Sequence, residues 1–367
     1  MAELVEETLK RIQRSTVMPA WHSSIFRMLL GTYILLFSAS NFSWINDVPQ
    51  SFFNPAFLSI SRLFSGFPPA ELLIILDILI ILFALFISLG VRSRFSSLAF
   101  LLVYIFGNSF RYSFGKIDHG GVMLMATLLC FSFSDWGTQN ALLPDKPSSF
   151  HPLSSALLGI LLSFGMFTAG FEKLLSWVDF DLSTNGFLDW FYNGYFSLGR
   201  QELLASSVFH FPPLLLEVLD YSAVIFELSP FLCLIAGPLF WRSWLVLASV
   251  FHLANTSLLN IVFITHVPIY CAYFLYPLLE QTKLKKHRHF RKTIRFTYFF
   301  TVIISTLHIV LRLSGNGVNS LLILPYGISQ LWLSIVLWAG VIILGVLSLL
   351  HHRKKPLSSS NFQHNGS

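Results

Sequence analysis

Charge is what this chain has least of. Only 11% of its 367 residues are Asp, Glu, Lys or Arg, against about a quarter in soluble domains, and that scarcity excludes an ordinary water-exposed globular surface. Cysteine is nearly as rare. The three present, Cys130, Cys233 and Cys271, are odd in number and lie within apolar stretches, so neither a disulfide framework nor a zinc site is indicated. Also absent are a P-loop, G-x-G-x-x-G, G-x-S-x-G and H-E-x-x-H, an internal repeat and a low-complexity core. Any chemistry must therefore come from residues dispersed over several helices. The N-terminal stretch Met1 to Arg27 carries several charges before any long apolar run, unlike a short signal peptide. The formal charge of +6 does not indicate nucleic acid, because basic residues in a multi-span protein are first of all topology signals.

What is present is hydrophobicity, at 54% of residues, in runs each about long enough to cross roughly 30 Å of hydrocarbon. The fold class read from this pattern is all-α, a polytopic membrane helix bundle of about nine or ten spans. The spans fall near residues 26–44, 71–91, 96–114, 120–135, 153–175, 221–240, 243–263, 266–280, 296–313 and 327–350. Residues 1–25 read as an interfacial amphipathic N-terminus, 26–350 as one transmembrane bundle and 351–367 as a disordered cytoplasmic tail. A continuous helix over 243–280 would run about 57 Å, nearly twice the core thickness. Thr265-His266-Val267-Pro268 is the expected break, with 266–280 either a crossing or a re-entrant helix. This count puts the basic block Lys283 to Arg295 on the same side as the N-terminus, Arg92, Arg94, Lys146 and Arg242. The positive-inside rule makes that side cytoplasmic, with both termini inside.

A few polar residues do not belong in lipid. The run Ala169-Gly170-Phe171-Glu172-Lys173-Leu174 carries an acid and a base into the last turns of a long apolar helix; Lys173 either snorkels to the interface or faces a wet cavity. Glu227 sits mid-span beside Ser229-Pro230, and His252 shares a helix face with Asn255. Hydrogen bonding between helices is the plain alternative for both. The tight connection Arg111 to Gly121 brings Arg111, Lys116, Asp118 and His119 to the membrane face of Lys173. Asp77 and Arg27 are candidates for an internal ion pair, and Ser183 to Phe211 reads as an aromatic interfacial lid over that end of the bundle.

Phe26-Arg27-Met28-Leu29-Leu30-Gly31, Ser88-Leu89-Gly90-Val91-Arg92-Ser93-Arg94, Asp118-His119, Ala169-Gly170-Phe171-Glu172-Lys173-Leu174 and Phe251-His252-Leu253-Ala254-Asn255-Thr256 occur in this order. Their order and spacing resemble the membrane portion of vitamin K-dependent gamma-carboxylases, the HTTM domain also found in many bacterial proteins, over roughly residues 20–280. The resemblance implies that Lys173 is the base that deprotonates a reduced isoprenoid quinone, that His119 assists proton delivery, and that His252 and Asn255 form the F-H-x-x-N element. It implies lyase or monooxygenase chemistry at the extracytoplasmic face of a bacterial plasma membrane. Catalytic roles fall on Lys173, His119 and His252, with Asn255, Glu227, Arg111 and Asp118 around them. A lysine acts as a base near neutral pH only where desolvation or a neighbouring cation favours its neutral form. The apolar run Gly165 to Phe171 offers the first, Lys116 or Arg111 the second, and Glu172 opposes both.

A carboxylase carries a large extramembrane domain that gathers its peptide substrate, whereas the residues that follow the last expected span here read only as a short tail, a departure from the family pattern that leaves substrate recruitment open. Two functions therefore remain open. One is a carboxylase-like enzyme acting on a lipid quinol and a peptide or small second substrate. The other is a non-catalytic protein that binds membrane lipid or assists maturation of a secreted peptide. No metal and no nucleic acid are expected.

Overall fold

The computed structural model describes residues 2–114, 120–179, 181, 183–280, 288–314 and 330–354. Thirteen α-helices run through the described residues: α1 (Ala2–Ser15), α2 (Ala20–Tyr33), α3 (Ala70–Leu89), α4 (Ser93–Arg111), α5 (Val122–Ser132), α6 (His151–Trp177), α7 (Gly186–Tyr192), α8 (Pro213–Leu228), α9 (Pro230–Ala236), α10 (Pro238–Leu259), α11 (Val267–Glu280), α12 (Arg288–Leu313) and α13 (Gln330–Lys354). π-Helical turns, Ile34–Ser38 and Asn193–Ser197, extend α2 and α7. Among the described residues there is no strand, only the isolated bridges Asn54↔Phe114 and Val91↔Leu143. Each expected span overlaps one of these helices or the bent pair α8–α9.

By length and composition, five helical segments can cross a membrane: Ala20–Asp47, Ala70–Leu89, His151–Trp177, Lys292–Leu313 and Gln330–His351. The pair α8–α9, bent by 47° at Ser229–Pro230, makes a sixth if it is one span. This marks the chain as a membrane protein but does not reach the expected nine or ten. Helices α5 and α11 are apolar but short, and α4 and α10 are long enough without matching the apolarity of the five.

Local chemistry explains the breaks. Pro230 opens α9, and a proline in a first turn lacks only a donor that would have had no partner there. Gly90 ends α3 in the left-handed region (φ 73°), where a side chain would be strained. The expected break at Thr265–Pro268 lies earlier in the structure. Helix α10 stops at Leu259 because Asn260 adopts the left-handed conformation (φ 52°), and Pro268 sits harmlessly in the first turn of α11. Helix α13 reaches Lys354, so its helix enters the segment expected as tail; residues beyond 354 lie outside the described part.

Side-chain pairings fix the helix directions. Glu227 meets Gly170 while Leu234 meets Gly159, so α6 runs antiparallel to α8–α9. His252 meets Tyr270 and Trp241 meets Tyr273, so α10 and α11 form a hairpin. His252 on Trp338 and Thr256 on Ser334 set α13 antiparallel to α10. At one end of the bundle, Arg92 N donates to Leu143 O at 2.9 Å and the Tyr298 hydroxyl to Asn140 O at 2.5 Å. Arg27 lies fully buried there and donates to the carbonyls of Trp136, Ile87, Ser88 and Asn140. At the other end, Thr265 Oγ1 donates to Gly120 O at 2.7 Å and the α2–α3 loop pairs with Phe114.

The expected Asp77–Arg27 pair does not form. Arg27 is taken up by carbonyls, and Asp77 pairs instead with Arg312 at 3.1 Å, accepting also from Phe42 N and Ser43 N. Arg312 belongs to a polar stripe on α12 in which Thr301, Ser305, His308 and Arg312 are all buried. His308 Nε2 lies 2.7 Å from Leu35 O, in the π turn, and Arg312 Nη1 is 2.9 Å from Ser40 O. The opposite side of α12, with Phe296, Phe299, Ile303 and Val310, is exposed, the polarity of a helix that turns its apolar side to lipid.

Candidate functional site

Lys173 is where a membrane-type helix carries a charge and finds a counter-charge. The meeting depends on Gly170. A Cβ there would stand 2.7 Å from the Glu227 Cβ and 3.0 Å from its carbonyl carbon, so only glycine lets α8 approach α6 this closely. One turn further on, Lys173 Nζ lies 2.5 Å from Glu227 Oε1 and 2.6 Å from Oε2. The two side chains differ in access, with Lys173 23% and Glu227 4% exposed. Aromatic faces close in on the ammonium: the Trp177 ring centroid is 5.1 Å and that of Phe251 5.9 Å from Nζ, both within cation–π range. Glu172 is exposed and stands outside this arrangement.

The lid lies at the same end. Gly186, the first residue of α7, packs directly on Trp177. The Asp220 carboxylate accepts from Gly186 N at 2.9 Å and Phe187 N at 2.8 Å, capping α7 from another helix. Asn260 holds the lid's far part by accepting from Glu202 N at 2.7 Å and donating to Glu202 O at 3.0 Å. Between the clamps, Phe191 is buried among Tyr192, Tyr195 and Phe209. The segment read as an aromatic lid is thus folded, with a small core in which its Phe191, Ala205 and Val208 meet Leu259 at the end of α10.

His252 occupies a different environment. Its Nε2 is 3.0 Å from the Tyr270 hydroxyl, its ring stacks on Trp338 at 4.6 Å, and it is buried between α10, α11 and α13. Among the described residues its Nδ1 has no hydrogen-bond partner, and the His266 ring is 5.7 Å away. Adjacent positions on a helix project about 100° apart. Phe251 accordingly faces Lys173 while His252 turns inward, and Glu227 bonds the lysine rather than the histidine. Asn255 is half-buried, and its backbone carbonyl accepts from Asn260 and Ile261 at the end of α10. Arg111 is exposed, with its guanidinium 5.9 Å over the Tyr112 ring. Lys116, Asp118 and His119 lie outside the described residues.

Sequence reading did not join Lys173 to Glu227 and passed over Asp220 and Asn260 as lid clamps. The A-G-x-x-K spacing held a signal for the first: a glycine one turn before a lysine marks a close helix crossing beside the charge. Nothing local marks the other two.

Beside the pair, an open groove of about 470 Å³ runs between α8–α9 and α10, lined by Ser222, Phe226, Ser229, Cys233, Ser243 and Trp244. The Phe226 ring, stacked on Trp244 and touching Phe251, separates the groove from Lys173. Among the described residues no three His, Cys, Asp or Glu side chains gather as a metal site would require. No family model, no curated protein and no solved structure matches the chain.

Proposed function

We propose that this chain is an HTTM-type multi-span protein in which the Lys173–Glu227 pair handles a proton on a lipid-soluble quinol at the lid end of the bundle. The observation that carries the reading is the pair itself, an ammonium doubly bonded to a carboxylate beneath a folded aromatic lid and flanked by Trp177 and Phe251. The fit is chemical. Flat aromatic faces suit a planar ring, and a lysine with some access suits a ligand hydroxyl. A reduced isoprenoid quinone held there would supply the acidic hydroxyl. The chain's own part is proton movement. With bonds of 2.5 and 2.6 Å, Lys173 can pass a proton to Glu227, leaving a neutral amine and a neutral acid, and the amine then accepts the ligand's proton. Apolar surroundings reduce the advantage of the charged pair over the neutral one.

Lyase or monooxygenase chemistry, with a peptide as second substrate, belongs to this proposal through the resemblance of the motifs. So does the count of nine or ten spans, in a bacterial plasma membrane with both termini cytoplasmic. Support for the sidedness comes from the Gly90–Arg92 turn, the 133–150 segment and the start of α12, which share one end of the bundle with most of the basic residues.

Mass spectrometry of lipids extracted from the purified protein tests the quinol reading. An isoprenoid quinone should copurify at about one per chain and be lost on Lys173→Ala, while Lys173→Arg, which cannot deliver a neutral base, retains ligand without turnover. Absence of quinone, together with no stabilisation by added reduced quinone, favours the accessory reading. That reading has its own support, since Lys173 is already neutralised by Glu227 and His252 is engaged elsewhere.

A further inference from the structure

Within the loop between α2 and α3, residues 57–63 are inside out. Their large apolar side chains point away from the protein, with Leu58 89%, Leu63 85% and Phe57 79% exposed, whereas Phe42, Ile45 and Phe67 nearer the ends of the loop are buried. The hydroxyls of 57–63 point in. Ser61 is fully buried, donating to Ser109 O at 2.8 Å and meeting Ser113 Oγ at 2.7 Å, and Ser59 Oγ lies 2.7 Å from Ser61 Oγ. A loop bathed in water arranges these groups the other way round.

Its position explains the inversion. The last of the loop's three 3₁₀ turns, Ile60–Leu63, does not stand above the bundle but lies against the last turns of α4. Phe64 packs edge-on to Phe110 at 5.1 Å and to Phe106 at 5.9 Å. Phe106 is five residues before the end of α4, so the loop reaches back about 8 Å along the helix axis. There it continues the exposed apolar face of α4 formed by Leu98, Leu102 and Ile105. The loop is pinned at that level by Asn54 N donating to Ser113 O at 2.7 Å, and its two ends are joined by Gln50, which accepts from Phe67 N at 2.8 Å. A cation completes the surface. The Arg62 guanidinium lies 5.1 Å over the Phe57 ring, an apolar stem and charged head suited to the phosphate level of a bilayer.

We infer that residues 57–64 form a membrane hook that inserts Phe57, Leu58 and Leu63 into the lipid leaflet at the lid end of the bundle, with Arg62 at the headgroup phosphates. The partner is the lipid surface itself, because the patch lies against the end of α4, on which Leu98, Leu102 and Ile105 are also exposed, and Arg62 within it is a charge that phosphate would attract. The hook also fixes the Tyr112–Phe114 turn against the membrane, since Asn54 and Phe67 both grip that turn.

Nitroxide labels read the depth directly. Cysteine is introduced singly at Leu58, Leu63 and, as a control on the same loop, exposed Asp47, with Cys130, Cys233 and Cys271 replaced by alanine. The full-length protein is placed in nanodiscs of phosphatidylglycerol and phosphatidylcholine. Labels at 58 and 63 should collide with dissolved oxygen several-fold more than with a water-soluble nickel chelate, and the label at 47 should show the reverse. Chelate-dominated collisions at 58 or 63 overturn the hook, and the patch is then a docking face for a soluble partner. Thermal unfolding of the cysteine-free background beside the native protein checks that it folds, and equal midpoints license the reading of all three labels.

Discussion

Glu227 has a single side-chain partner among the described residues, so removing Lys173 leaves a carboxylate stranded where water hardly reaches. Lys173→Ala should cost on the order of 2 kcal/mol, between an exposed pair and a fully buried one, because the lysine keeps some access to solvent while Glu227 has almost none. Lys173→Met combined with Glu227→Leu should recover most of the loss, since well-packed apolar groups replace a buried ion pair at little or no penalty. Thermal unfolding in detergent measures both, and a double variant that loses the sum of its singles would contradict the pairing. The sequence singles out both residues but cannot join them, because their spacing of 54 positions hides which turns of α6 and α8 face each other. Arg312 escapes notice for a related reason. Near the end of a span a lone arginine reads as a snorkelling residue, and only the fold shows its head turned inward to Asp77.

Between α6 and α8 the contact is set by a missing side chain. Gly170→Ala puts a carbon where the Glu227 Cβ and backbone already are, so α8 must shift, with an expected loss of about 1–3 kcal/mol and lengthening of the Lys173–Glu227 bonds. A quinone that copurifies with the wild type should then bind more weakly, and unfolding midpoints with and without ligand separate the two effects. The lid is held by side chains rather than by its own short helix. Asp220→Asn removes charge assistance from the Gly186 and Phe187 amides, which should raise hydrogen exchange across Gly186–Tyr192 by about tenfold while α10 keeps its protection. Unchanged exchange would show that aromatic packing alone keeps the lid closed. The helices themselves are legible because apolar runs and proline positions mark them. Where one stops is less so, since Asn260, not Pro268, ends α10.

At the scale of the molecule, the distribution of charge carries an expectation of sidedness that labelling can test. Cysteine at Gln281 or Thr282 should stay unlabelled by an impermeant reagent in intact cells and become reactive on permeabilisation. Ready labelling in intact cells would reverse the sidedness of the whole chain. What charge and hydropathy leave illegible is how deep a loop sits. The α2–α3 loop looks like an ordinary outer connection in sequence, and its inverted polarity emerges only when Ser61 is seen inside and Leu58 outside.

The pairing of Asp77 with Arg312 also sets a timetable for biosynthesis. Asp77 leaves the ribosome on α3, and its counter-ion follows only after more than two hundred further residues have been made. Through that interval the aspartate has the Phe42–Ser43 turn to bond, its two backbone amides and the Ser43 hydroxyl. Helix α3 can tolerate the wait, being the most apolar of the candidate spans at a mean hydropathy of 3.1. Helix α12 is poorly placed to insert first, since its buried His308 and Arg312 find their partners on α3 and at the turn that ends α2. The last stages of assembly thus close a contact that the earliest spans have held open, and nascent chains arrested before α12 should be those most readily taken by membrane quality control.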